Sequence, residues 1–149
     1  MPIIPGRLGY DPYQGEAFLT ATLWGHQTRS FGMPAVAFLN GEYVPLAEAK
    51  VGIMTHALHY GTAIFEGMRG NWNSDEERSY IFRMRDHYER MLQGCSMMHI
   101  SLPYSVDELC DITVEMVERC GYTEDIYIRP LAYKSTERVA TLNLHTLDD

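Results

Sequence analysis

From Met33 onward the apolar and polar positions fall first into short alternating runs and then into two stretches of helical period. Ala35-Val-Ala-Phe-Leu39 and Glu42-Tyr-Val-Pro-Leu46 flank Asn40-Gly41. Asn-Gly accepts positive φ at both central turn positions, so this segment predicts a hairpin closed by a type I′ turn. Pro45 lacks a ladder donor and marks the second strand as an edge or an exit. Ala47–Val51 is a connector, and Thr55–Tyr60 reads as a helical turn stopped by Gly61. A second hairpin is expected next, with strands Ala63–Arg69 and Ser79–Met84 joined by the polar loop Asn71–Arg78.

The period then changes. Asp86-His-Tyr-Glu89 has the form of a capping box, and Tyr88, Met91, Leu92, Cys95 and Met98 follow at helical spacing. After Pro103-Tyr-Ser105, a cleaner box over Ser105–Glu108 opens a second helix with Leu109, Ile112, Met116 and Cys120 on one face. Gly121 is its expected stop. Asp125–Arg129 is a strand that runs through Pro130 into Leu131-Ala-Tyr133. Two hairpins, two helices and a returning strand define an α+β fold, an antiparallel sheet of hairpins with two helices on one face. Strands that cluster before the helices argue against a doubly wound parallel sheet. Residues 1–32 differ: Pro2, Pro5, Pro12 and scattered aromatics show no period, which predicts an irregular N-terminal extension ahead of a domain over 33–149.

Composition narrows the functions. The chain has 149 residues, 46% hydrophobic and 21% charged, as a single globular domain requires. A net charge of −8 disfavours nucleic acid, which is held by neutralising phosphates. No apolar run reaches the ~18 residues of a membrane span. Pro2 and Pro5 break any signal-peptide core. Three cysteines, Cys95, Cys110 and Cys120, are an odd number without C-x-x-C spacing. They point to a reducing, cytoplasmic setting rather than a disulfide framework or a zinc knuckle.

Several residues carry candidate chemistry. Period 2 sets Tyr127 and Arg129 on one side of their strand, where a phenol beside a guanidinium can hold a carboxylate; the alternative is a solvated sheet face. Arg90 lies on the helix face of His87 and Gly94 and is a candidate phosphate ligand, or else a surface arginine paired with Asp86. Phe65, Gly67 and Arg69 share one side of their strand, with Ile64, Glu66 and Met68 on the other. Phe65 is therefore a pocket wall or plain core. His56 and His59 stand at i, i+3, but without H-E-x-x-H a packed pair is favoured over zinc. Tyr60 ends its turn at a loop, from which it can reach outward. No G-x-G-x-x-G, Walker loop or G-x-S-x-G is present, and no cysteine is placed as a nucleophile.

Read in order, Leu39-Asn-Gly-Glu, Ala49-Lys-Val51, Thr55-His-Ala-Leu-His-Tyr-Gly-Thr62 and Phe65-Glu-Gly-Met-Arg69 closely resemble branched-chain amino acid aminotransferases, pyridoxal-phosphate enzymes of fold type IV. Ile81-Phe-Arg83, Asp86-His-Tyr-Glu-Arg90, Pro103-Tyr-Ser105 and Tyr127-Ile-Arg-Pro-Leu131 extend the match to about Tyr133. The resemblance implies the small N-terminal domain of such an enzyme. It implies that Arg90 contacts the phosphate of pyridoxal 5'-phosphate, that Phe65 lines the substrate side-chain pocket and that Tyr127 and Arg129 shape the substrate site. Tyr60 would reach the neighbouring subunit's site in a homodimer. The implied reaction moves the amino group of a branched-chain L-amino acid to 2-oxoglutarate.

The family's cofactor-bearing lysine lies downstream in a large domain, and neither Lys50 nor Lys134 matches it. A partial sequence, inactive alone and without a catalytic residue of its own, is therefore expected, with an uncovered half-pocket that promotes self-association. D-amino acid aminotransferases and aminodeoxychorismate lyases share the fold and are the nearest alternatives. A non-catalytic binding or dimerisation module is the alternative of another class, and a metal hydrolase using His56 and His59 is a distant third.

Overall fold

The computed structural model of the protein describes residues 35–140, 142–147 and 149, and the backbone of Thr22–Leu23. The expected extension over 1–32 otherwise lies outside the described residues. Thr22–Leu23 form a short strand, β1, paired antiparallel with the strand that carries Tyr127 and Arg129. The first hairpin forms as its turn chemistry dictates: β2 (Val36–Leu39) and β3 (Glu42–Pro45) pair around Asn40 and Gly41, at φ +55° and +78°. A single helical turn, α1 (His56–Tyr60), ends on Gly61 in the left-handed region at φ +66°.

The expected strand Ala63–Arg69 is broken. Its first part, β4 (Ala63–Phe65), pairs with β8 (Leu131–Tyr133), and its second, β5 (Met68–Asn73), pairs with β7 (Ile126–Arg129). The register is unchanged across the gap: Phe65 faces Leu131 and Met68 faces Ile128, three residues on along one strand and three back along the other. Pro130 lies opposite the break and has no N–H to donate, so the ladder lapses there; one bond, from the Glu66 amide to the Pro130 carbonyl (3.1 Å), bridges it. β5 also runs on through Asn73, residues expected in the loop, and pairs with β6 (Arg78–Ile81). The loop shrinks to 74–77, and the main sheet runs β1-β7-β5-β6.

Met84 does not end a strand but starts α2 (Met84–Met97). Its N-cap is Arg83, at φ +49°, with no side-chain cap bond; Asp86 sits in the first turn and pairs with Arg83. The capping box expected at Asp86–Glu89 is therefore not the start of this helix. By contrast α3 (Val106–Cys120) opens on Ser105, whose hydroxyl accepts from the Glu108 amide while the Glu108 carboxylate accepts from the Ser105 amide, and it closes on Gly121 at φ +61°.

The predicted apolar stripes make the core. Tyr88, Met91 and Cys95 of α2 and Leu109, Met116 and Cys120 of α3 bury against Met68, Ile126 and Ile128 from the sheet. Both helices thus share the face that period 2 assigned to Ile126 and Ile128. Two polar groups join this core as a pair: Tyr88 and Thr113 meet hydroxyl to hydroxyl at 2.5 Å, and Thr113 also donates to the Leu109 carbonyl. Gly94 lets α2 close on β4, because a side chain there would meet Ile64 at 3.1 Å.

Candidate active site

Of the sequence candidates, Phe65, Tyr127 and Arg129 lie on the face away from the helices. Tyr127 stands directly across from Arg69, and Arg129 across from the break at Gly67. The Arg129 guanidinium lies over the Phe65 ring at 4.4 Å and donates from Nη2 to the Tyr127 hydroxyl at 2.8 Å. Phe65 is 59% exposed, so it is not core.

Gly67 makes this cluster possible. A β-carbon built there would fall 2.0 Å from the Tyr127 hydroxyl oxygen, so any side chain would evict the phenol from its place beside Arg129. Arg129 Nε is buried and has no hydrogen-bond partner among the described residues. An arginine with unmet donors, next to a phenol and an exposed aromatic ring, suits a small carboxylate joined to an apolar group.

On the other face of the same strand, Glu66 is the residue sequence reasoning passed over. Its side chain is 8% exposed and accepts from Arg90 Nε at 2.6 Å and Arg90 Nη2 at 2.5 Å, a bidentate pair. His87 Nδ1 lies 2.9 Å from the same carboxylate. Because an ionised carboxylate only accepts, the His87 nitrogen is the protonated one, and its 3.3 Å approach to Arg90 is two donors sharing one oxygen. The bonds from Arg90, followed by those from His87, hold the Glu66 carboxyl at about 2 against the opposing effect of burial. Arg90 is thus paired with Glu66 rather than with Asp86, the partner the sequence suggested. A signal existed: a carboxylate at an inward-facing strand position needs a cation from the helix above it.

The remaining candidates serve other contacts. Tyr60 stacks on His56 at 4.4 Å, and its hydroxyl accepts from the Ala140 amide at 2.8 Å. His56 Nδ1 meets the Thr62 hydroxyl at 2.9 Å, and His59 Nε2 donates to the Ile53 carbonyl at 2.8 Å. Among the described residues no group of three His, Cys, Asp or Glu could hold a metal ion. Lys134 is buried, with its Nζ donating to the carbonyls of His99 (2.5 Å) and Leu147 (3.3 Å) and paired with Asp149. All three thiols are free, and burial raises each pKa, that of Cys95 to about 11. A concavity of about 460 Å³ between the β5–β6 hairpin and the end of α3 is lined by Trp72, Arg78, Ile81, Val117 and Tyr122, and takes in none of the candidate residues.

Small antiparallel sheets with helices packed on one face are the fold of the N-terminal domain of the fold type IV aminotransferases. The family model for amino-transferase class IV matches residues 63–145, and the chain belongs to that family. It is 49% identical over 105 residues to a probable branched-chain-amino-acid aminotransferase of Aquifex aeolicus, a match that takes in 70% of this chain and 33% of the relative. Among solved structures it is similar to the branched-chain aminotransferase of Thermoproteus uzoniensis with norvaline, at 39% identity and a TM-score of 0.71 over 76% of this chain and 37% of that one. The PLP form of the Thermobaculum terrenum branched-chain amino acid aminotransferase superposes at 34% identity and a TM-score of 0.65, over 78% and 36%. The chain therefore spans about a third of the length of the relatives it matches. No helix among the described residues is long and apolar enough to cross a membrane.

Proposed function

We propose that the protein containing this chain transfers the amino group of branched-chain L-amino acids to 2-oxoglutarate with pyridoxal 5'-phosphate, as a cytoplasmic homodimer. The observation that carries the reading is the Phe65–Tyr127–Arg129 cluster: cationic and phenolic donors for a carboxylate stand against an exposed apolar ring. The names of the relatives, one with norvaline bound and one in its PLP form, support the same substrate and cofactor classes.

The residues present fit that cofactor's phosphate. Arg90 is 67% exposed, and its bonds to Glu66 use Nε and Nη2, which leaves the Nη1 edge for an anion. In this reading Arg90 holds the phosphate, Arg129 and Tyr127 bind and orient the substrate carboxylate, and Phe65 excludes water from an aliphatic side chain. Tyr60 serves the partner subunit's site. The bound cofactor supplies the electron sink for amino-group transfer. The lysine that binds it covalently is not among these 149 residues: Lys134 is buried in its own ion pair, and Lys50 lies exposed in the connector after β3. These residues alone are expected to be inactive.

Amino-group transfer by the full-length protein from leucine, isoleucine and valine to 2-oxoglutarate is the expected result. Turnover of D-alanine without leucine would assign the site to a D-amino acid aminotransferase instead. Release of pyruvate from aminodeoxychorismate would make it a lyase.

A further inference from the structure

Glu66 is a buried carboxylate to which the proposed reaction gives no role. It occupies the break between β4 and β5, where its amide is fixed to the Pro130 carbonyl and its neighbours Phe65 and Gly67 face the opposite side of the sheet. Three donors converge on its two oxygens: Arg90 Nε on one, Arg90 Nη2 and His87 Nδ1 on the other. The carboxylate is therefore anchored by backbone below and by His87 beside it, while the arginine it holds projects into solvent.

We propose that Glu66 is a positioning residue for Arg90, locking the guanidinium through Nε and Nη2 so that its Nη1 edge is presented to a phosphate. The inference rests on the reading of Arg90 as the phosphate ligand and adds how that ligand is oriented. A free arginine samples many rotamers, and only those that aim the fork at the phosphate bind it. A bidentate carboxylate selects one before the anion arrives. Glu66 also offsets the charge of Arg90, which by itself would weaken anion binding. That loss is small because the guanidinium is mostly in water, where Coulomb attraction is screened. Orientation therefore wins over charge. The anchor also ties the two faces together: the strand that sets Phe65 against Arg129 sets, one residue later, the clamp on Arg90.

The test compares binding of pyridoxal 5'-phosphate with that of pyridoxal, which lacks the phosphate, by titrating the cofactor-free full-length protein. Glu66→Gln keeps the shape and one acceptor but loses the bidentate carboxylate. Its affinity for pyridoxal 5'-phosphate is expected to fall about 10-fold or more, in the range typical of lost supporting contacts, while pyridoxal binding changes less than about twofold. Glu66→Asp keeps the charge and shortens the reach, so it is expected to show the same selective loss, and it carries the test if Glu66→Gln does not fold. In the double variant Glu66→Gln/Arg90→Ala the two losses should not add, because both remove one contact.

Equal loss for the two ligands would reduce Glu66 to a structural role and overturn the inference. Unchanged or tighter binding of pyridoxal 5'-phosphate would do the same, by making charge the larger effect. Arg90→Ala separates this from the parent reading. If that variant binds pyridoxal 5'-phosphate normally, Arg90 is not the phosphate ligand; if it binds weakly and Glu66→Gln does not, only the role of Glu66 falls.

Discussion

Glu66 shows how one residue's surroundings set both its charge and its contribution to stability. Its folded pKa of about 2 lies below the ordinary 4.5, so between those values the unfolded chain binds more protons than the folded one. Stability is therefore full above the unfolded value and is lost as pH falls from about 5 through about 2. At 1.36 kcal/mol per unit the shift alone would amount to about 3 kcal/mol, and screening at the exposed Arg90 leaves about 1–2. Thermal melting of the cofactor-free protein at pH 6 and at pH 3 should show a smaller drop for Glu66→Gln than for the parent. Equal drops would mean that the Glu66–Arg90 pair adds nothing to folding.

Helix starts tell the same story one level up. Two segments carry the capping pattern, but only one uses it. Ser105 exchanges bonds with Glu108 at the start of α3, whereas α2 begins two residues before Asp86 and takes Arg83 as its cap. Packing decides between them: Met84, half-buried against the core, is drawn into the helix and pulls the first turn forward. Ser105→Ala should cost about 0.5–2 kcal/mol, seen as a lower melting temperature. Asp86→Ala should cost less than about 1 kcal/mol, because it removes only an exposed ion pair with Arg83. A larger loss for Asp86→Ala than for Ser105→Ala would contradict this assignment of the caps.

For the whole molecule, the exposed apolar residues matter most. Val51, Ile53, Met54, Leu58 and Tyr60 follow one another along the connector and α1, with Ile53 78% and Leu58 60% exposed. An exposed apolar run of this kind favours association over contact with water. The 149-residue chain is expected to self-associate in light scattering, and Ile53→Lys with Leu58→Glu to shift it toward monomer. A monodisperse parent monomer would refute this.

Elements whose causes are local were legible in the residues alone. Asn40-Gly41 specified a turn, Ser105 with Glu108 a helix start, Gly61 and Gly121 helix ends, and period 2 the faces of Tyr127 and Arg129. Side-chain alternation even sorted Phe65 from Glu66 correctly, because the register runs unbroken past the gap. Tertiary structure alone decided what those faces meet. Pro130 breaks a strand more than sixty residues earlier in the chain, since a missing donor is felt only by whatever pairs with it. Gly67 admits the Tyr127 hydroxyl, and Glu66 takes Arg90 from its expected partner Asp86, because the fold brings α2 onto β4 and a buried carboxylate must find a cation. Local sequence sets which way a side chain points; the long-range pairing of strands and helices sets what waits there.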